Sequence, residues 1–317
     1  MNLTLVDVQR AREVLRPFVP VSRLVAASSL GGADRTVFLK LESELPTGSF
    51  KPRGAIYALT TELGRRPVRE VTASSTGNHG AAVAFAAKQR GIAATIFLPK
   101  NPNPVKRARI AALGAKIVEA GGDDLASASE EASAYSRRDG VYFLDDATAP
   151  ELPAGPGTIA AEIFEQHPAT EVIVVPMGDT ALIRGVAAAA KLLSPGVKIV
   201  GVQAERAPSY VLSWRAGRGI PTDTCDTIAD GLSTRTPKEE NVQAIRELVD
   251  DVSLVSEEQM LKGIRQLLLE EHLVAEPAGA AACAAILQSD SEIRGQVVAL
   301  VTGANITPEI LRRALDS

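Results

Sequence analysis

The segment LESELPTGSFKPRGA (41–55) sets Lys51 among Gly and Pro residues, immediately before the helix-forming run RGAIYALTTEL. Such punctuation fixes the local backbone, so this amine can be presented rigidly, as a nucleophilic lysine must be. Alone the signal is weak, because most lysines are solvated surface amines. Its company strengthens it. The segment SSTGNHGAAVAFAA (74–87) places small residues and Asn78 in a turn directly before a helix start. A turn of that kind binds anions through backbone N–H groups and the positive end of the helix dipole. A third segment, QVVALVTGANITPEIL (296–311), reads as a buried strand, a Gly-containing turn and a helix start, with the Thr302 hydroxyl at the strand's end.

The elements that must position these groups follow a regular rhythm. VREVTAS (68–74) reads as a strand, GAAVAFAAKQRG (80–91) as a helix, and AATIFLP (93–99) as a strand. PVKRARIAALG (104–114) reads as a helix stopped by Gly114, and AKIVEAG (115–121) as a strand, with the same alternation resuming from 158. This pattern predicts an α/β protein with mostly parallel sheets. At 317 residues two domains are expected. The Pro-, Asp- and Gly-dense segment VYFLDDATAPELPAGP (141–156) marks one crossing between them and the stretch near 65–70 the other. The expected division is a large unit of 1–67 plus 148–317 and a small unit of 68–147.

Composition narrows the function classes. The 34 basic and 38 acidic residues give a formal net charge of -4, without a cluster of Lys and Arg among aromatics, so no nucleic-acid partner is expected. Apolar runs such as VIVVP (172–176) fall far short of the roughly 20 residues of a membrane helix. Only Cys225 and Cys283 are present, and the N-terminal sequence lacks a signal peptide's apolar run, so a cytoplasmic protein is expected.

With these segments in order, the chain resembles the fold-type II pyridoxal-phosphate enzymes, which include serine/threonine dehydratases, serine racemase, cysteine synthase and the tryptophan synthase β chain. The resemblance rests on LKLESELPTGSFKPRGA, STGNHG, GTIAAEI, the loop at 176–185, TIADGL, EPAGAA and VTGANIT, and covers nearly the whole chain. SFKPRGA, STGNHG and TIADGL together are most similar to the serine/threonine dehydratase and serine racemase branch. The resemblance implies two doubly wound, open parallel-sheet domains of the tryptophan synthase β type, a homodimer, and pyridoxal 5'-phosphate as cofactor.

It also implies roles for particular residues. Lys51 would hold the cofactor as a Schiff base, and Phe50 would line its pocket, although a Phe there equally suits a core. Asn78 would bond the cofactor's phenolic oxygen, while Ser75, Thr76, Gly77, Asn78 and His79 surround the substrate carboxylate. His79 is given a binding role, since a His at a helix start is more often a turn or packing residue than a base. Thr302 would face the pyridine nitrogen and leave it neutral, which favours loss of a β leaving group over transamination.

Three places bear on how far the resemblance extends. The loop PMGDTALIRGVA (176–187) stands where the family has four glycines around the cofactor phosphate, and of those only Gly178 remains. Backbone donors persist at Asp179, Thr180, Ala181 and Leu182, and Thr180 adds a hydroxyl. The Asp179 carboxylate would repel a phosphate, so its side chain is expected to turn outward or cap the helix. Gln203 and Ser209 occupy the positions aligned with metal-holding acids in related enzymes, and Glu205 alone cannot hold a hard cation, so no metal site is expected. Asp230 and Glu276 are as readily capping or structural acids as pocket acids.

The resulting expectation is a lyase acting on a small amino acid: β-elimination from a 3-hydroxy amino acid such as serine or threonine to a 2-oxo acid and ammonia. Lys51 would be anchor and base. A racemase, with Thr76 as the acid opposite Lys51, a β-replacement synthase, and a cofactor-binding paralogue without catalysis are the alternatives. No appended regulatory domain is expected.

Overall fold

The computed structural model describes residues 3–75, 77–100, 104–122, 125–288 and 292–317, with the side chains of 104–106 also left aside. In chain order the elements are α1 (Leu5–Leu15), β1 (Leu24–Ala26), β2 (Arg35–Leu41), α2 (Lys51–Arg65), β3 (Glu70–Ser74), α3 (Asn78–Arg90), β4 (Ala93–Leu98), α4 (Pro104–Ala112), β5 (Lys116–Glu119), α5 (Leu125–Tyr135) and β6 (Val141–Phe143). They continue with α6 (Ala154–Gln166), β7 (Val172–Pro176), α7 (Ala181–Leu193), β8 (Lys198–Ala204), α8 (Ser209–Ala216), α9 (Glu239–Leu248), β9 (Asp251–Val255), α10 (Glu257–Leu269), α11 (Pro277–Leu287), β10 (Gly295–Val301) and α12 (Pro308–Leu315).

The strands form two sheets. The larger runs β1-β2-β10-β7-β8-β9 and the smaller β5-β4-β3-β6. Every pairing is parallel except β1 with β2. Parallel strands with helices on both faces must be apolar throughout, and β10 shows why its sequence lacks alternation: Val297 to Val301 are all buried. On one face β10 and β2 pack against α10 and α11; on the other Val298 and Leu300 share a core with α6 and α7. Among the described residues no helix is long and apolar enough to cross a membrane.

Helix α2 joins the two sheets. It begins at Lys51 itself, two residues earlier than the sequence suggested, because Pro52 in the first turn needs no N–H partner. Its Ala55, Ile56, Ala58 and Leu59 lie in one core with Val71 and Ala73 of β3 and Ala82 and Val83 of α3. Its first turn is fixed to the larger sheet by charge. The buried Arg53 guanidinium donates to Glu42 (Nε–Oε2 2.8 Å) and to Glu162 of α6 (Nη1–Oε1 2.6 Å), and Lys40 of β2 donates to Glu162 at 2.7 Å. Two cations balance two carboxylates away from water. Burial opposes the Arg53 charge, and Glu42 and Glu162 outweigh it and hold the guanidinium protonated.

Candidate active site

A cavity of about 350 Å³ opens where the strand ends at Ser74, Pro176 and Val301 meet the starts of α3 and α7. Ligand sites in open α/β sheets form at this carboxyl edge. Phe50, Lys51, Ser75, Gly77, Asn78, His79, Gly178, Asp179, Thr180, Ala181, Leu182, Asp230, Glu276 and Thr302, drawn from segments far apart in sequence, all line it. Thr76 lies outside the described residues.

Lys51 is held in place from both sides. The Phe50 N–H donates to the Thr302 carbonyl at 3.1 Å, tying the start of α2 to the end of β10. The Lys51 amine donates to the Asp146 carboxylate and lies 5.2 Å from the centre of the Phe50 ring. The local chain explains how Asp146 gets there. Leu144 is buried and extends β6 through its N–H to the Thr72 carbonyl. Asp145 then accepts from the N–H groups of Ala147 and Thr148 at 3.0 and 2.8 Å, a turn that points the intervening Asp146 into the cavity. Burial works to raise the Asp146 pKa, but Lys51 and His79 prevail and hold the carboxyl below its ordinary range.

His79, in the first turn of α3, is buried. Its Nε2 donates to the Leu144 carbonyl at 2.8 Å, and its Nδ1 faces Asp146 Oδ1 at 3.4 Å. Both ring nitrogens are thus turned to protein atoms. The backbone remains available: Gly77 at the N-cap has no side chain, and the first N–H groups of α3 have no helical acceptor.

Asn78 is oriented from both ends of its amide. Its Nδ2 donates to Glu276 Oε1 and its Oδ1 accepts from Asn305 Nδ2, each at 2.6 Å. Arg109 donates to Asn305 in turn. Glu276 occupies the N-cap position of α11, but its side chain makes no cap bond to the helix. Asp230 begins a short turn at the exposed rim. Thr302 is buried, and its hydroxyl is 3.4 Å from the Ala278 carbonyl.

The loop before α7 departs from the sequence expectation. Thr180 adopts φ 69°, the left-handed region that favours glycine, and its hydroxyl accepts from Arg184 Nε at 3.1 Å, which helps fix that conformation. Gly178 is required by contact: a Cβ there would lie 2.1 Å from the Gly231 carbonyl oxygen. Asp179 neither turns outward nor caps α7. It is half-buried at the cavity wall and accepts from Thr234 Oγ1 at 3.1 Å. Burial, with Asp146 adding to it, pushes its pKa up to about 6 against the opposing pull of Lys51 and Thr234.

Gln203 and Ser209 are both fully buried and bonded within the scaffold. Gln203 Oε1 accepts from the Val211 N–H at 3.0 Å and Ser209 donates to the Thr234 carbonyl at 2.6 Å. No group of three or more potential metal-ligating His, Cys, Asp or Glu occurs among the described residues.

The sequence pattern of the family described as pyridoxal-phosphate dependent enzyme matches residues 15–303. The chain belongs to this family. It is 36% identical over 319 residues to an L-threonine ammonia-lyase of Thermotoga maritima, a match that spans 99% of this chain and 78% of the relative. Isoform 2 of threonine deaminase from Solanum lycopersicum, in its processed form, is similar in structure with a TM-score of 0.91 at 28% identity, over 98% of this chain and 86% of that one. Maize serine racemase matches with a TM-score of 0.90 at 26% identity, over 100% and 98%. The architecture is therefore that of a fold-type II pyridoxal-phosphate enzyme.

The donor set of the cavity suits this cofactor. It offers one amine, Lys51, an oriented amide at Asn78, a hydroxyl at Thr302, and a helix start at α7 whose first N–H groups lack helical acceptors. The Asp179 carboxylate works against a phosphate, and its raised pKa makes the neutral form accessible near neutral pH. Arg184, buried in the first turn of α7, adds positive charge beneath the loop.

Proposed function

We propose that this family member is an ammonia-lyase that removes the β-hydroxyl of a 3-hydroxy amino acid, such as threonine or serine, and releases a 2-oxo acid and ammonia. The observation that carries this reading is the Lys51 amine set in a cavity whose central strand ends in the Thr302 hydroxyl rather than a carboxylate. The likeness to enzymes named threonine ammonia-lyase and threonine deaminase supports it.

In this reading the cofactor, when bound, takes up the electrons released at the substrate α-carbon. Lys51 would anchor it and, once free, would remove the α-proton of the substrate. The N–H groups at the start of α3, with Ser75 and Gly77 beside them, bind the substrate carboxylate and orient the α-carbon toward Lys51. Asn78, steadied by Glu276 and Asn305, would hold the phenolic oxygen. The N–H groups of residues 179–182 would hold the phosphate, most readily where Asp179 is protonated. Thr302 would meet the ring nitrogen with a hydroxyl, which could not give it a full proton, and this would favour loss of the β-hydroxyl. Phe50 keeps water from the amine.

A cytoplasmic homodimer, and a small unit of 68–147 that closes over the substrate, are part of the same proposal. The test is a screen of L- and D-serine, threonine and bulkier 3-hydroxy amino acids for 2-oxo acid release, with enantiomer content followed in parallel. Racemisation without 2-oxo acid would overturn the lyase reading in favour of a racemase.

A further inference from the structure

The contact between His79 and Asp146 is short of one proton. A carbonyl oxygen only accepts, so the 2.8 Å contact with Leu144 places a hydrogen on His79 Nε2. With Nδ1 bare, its lone pair would point at Asp146 Oδ1, another acceptor, 3.4 Å away. Both atoms are buried and neither has another hydrogen-bond partner. Two facing acceptors in a buried site are each left unsatisfied, and a single proton between them satisfies both. The second carboxylate oxygen of Asp146 meets the Lys51 amine. One carboxylate therefore connects an imidazole to the reacting nitrogen.

We infer that His79 and Asp146 share a proton that serves Lys51, with Asp146 the catalytic acid–base partner of that amine and His79 its positioning residue. The inference rests on the lyase reading and supplies the step that reading leaves open. As Lys51 takes the α-proton, the Cα–H bond breaks and an N–H bond forms. The electron pair left on the α-carbon makes the Cα–Cβ double bond, and the Cβ–O bond breaks with its pair on oxygen. That oxygen needs one proton to depart as water, and the Lys51 ammonium, held at Asp146 Oδ2, supplies it. The amine is then neutral for the next attack, while the proton between His79 and Asp146 stays in place and sets the charge of the carboxylate beside it. Lys51 from α2 and His79 from α3 bear directly on Asp146, while Arg184 of α7 and Asp179 of the preceding loop act on it through charge.

The test has an arm that does not depend on turnover. The chain has three histidines, so ¹⁵N-histidine labelling of the holoenzyme gives a spectrum that Asp146→Asn and His79→Gln assign. A proton bonded to His79 Nδ1, displaced to low field and lost in Asp146→Asn, is expected. A His79 ring with bare Nδ1 in the wild-type enzyme would overturn the inference whatever the activity. In the second arm, Asp146→Asn should lower kcat for elimination by about a hundredfold or more with KM little changed. α-Proton exchange in deuterated buffer should fall less, and Asp146→Glu should recover part of the loss. Equal loss of elimination and exchange would mark Asp146 as merely structural. If the low-field proton is present but no 3-hydroxy amino acid releases a 2-oxo acid, the lyase reading fails and the shared proton stands.

Discussion

Replacing Asp179 with Asn removes a charge that the cavity disfavours, and the size of the effect follows from the raised pKa. An acid shifted from its ordinary 3.8 to about 6 prefers its neutral form in the folded protein. Below pH 3.8 the group is neutral in folded and unfolded chains alike, and it costs nothing. As pH rises from about 4 to 6 the unfolded chain ionises first, and stability is lost; above 6 the loss is constant. At 1.36 kcal/mol per unit the shift corresponds to about 3 kcal/mol, an upper limit because the side chain still borders the cavity. Asp179→Asn should therefore match the wild type near pH 4 and exceed it by up to about 3 kcal/mol at pH 7–8, read by urea unfolding of the cofactor-free protein. Cofactor affinity should follow the same group: where a phosphate must be met by protonated Asp179, wild-type affinity falls up to about tenfold per pH unit above 6, and the Asn variant stays flat. A stability difference that is equal at pH 4 and pH 8, or that favours the wild type at pH 8, would refute the reasoning.

Arg53→Met should leave Lys40 as the one cation facing Glu42 and Glu162, so that one buried carboxylate goes uncompensated, and cost about 3–5 kcal/mol by urea denaturation. Lys51→Ala should abolish turnover, and borohydride reduction of the wild-type enzyme should attach the cofactor to the peptide bearing Lys51 and to no other lysine peptide. Thr302→Asp should raise the basicity of the ring nitrogen and shift the ratio of elimination to α-proton exchange toward exchange, whereas Thr302→Ser should leave that ratio near wild type. Treatment with a strong chelator should leave activity nearly unchanged; inhibition reversed by magnesium would reopen the reading of Gln203 and Ser209.

The alternation of apolar strands and Ala-rich helices was legible because periodicity is a local property: β3, α3, β4, α4 and β5 fall where the sequence places them. The residues around Lys51, Asn78 and Thr302 were legible through motifs at the ends of those strands. What sequence hid were pairings made by tertiary path. Asp146 meets Lys51 across 95 positions, from a segment whose Pro and Gly content marked it only as a crossing. Arg109 and Asn305, 196 positions apart, meet around Asn78 in the same way. For Asp179 the sequence could not show where the side chain lies: it borders the cavity near Asp146, and burial makes the carboxylate easier to neutralise.

Helix α2 has one further consequence, which is mechanical. Its first turn is riveted to the larger sheet through Arg53, while its middle is embedded in the core beneath the smaller one. Lys51 sits at the riveted end, whereas Asp146 and His79, which bear on it, come from segments around the smaller sheet. The amine and its partners are thus carried by different halves of the protein, and their alignment is set by how α2 holds the two sheets together.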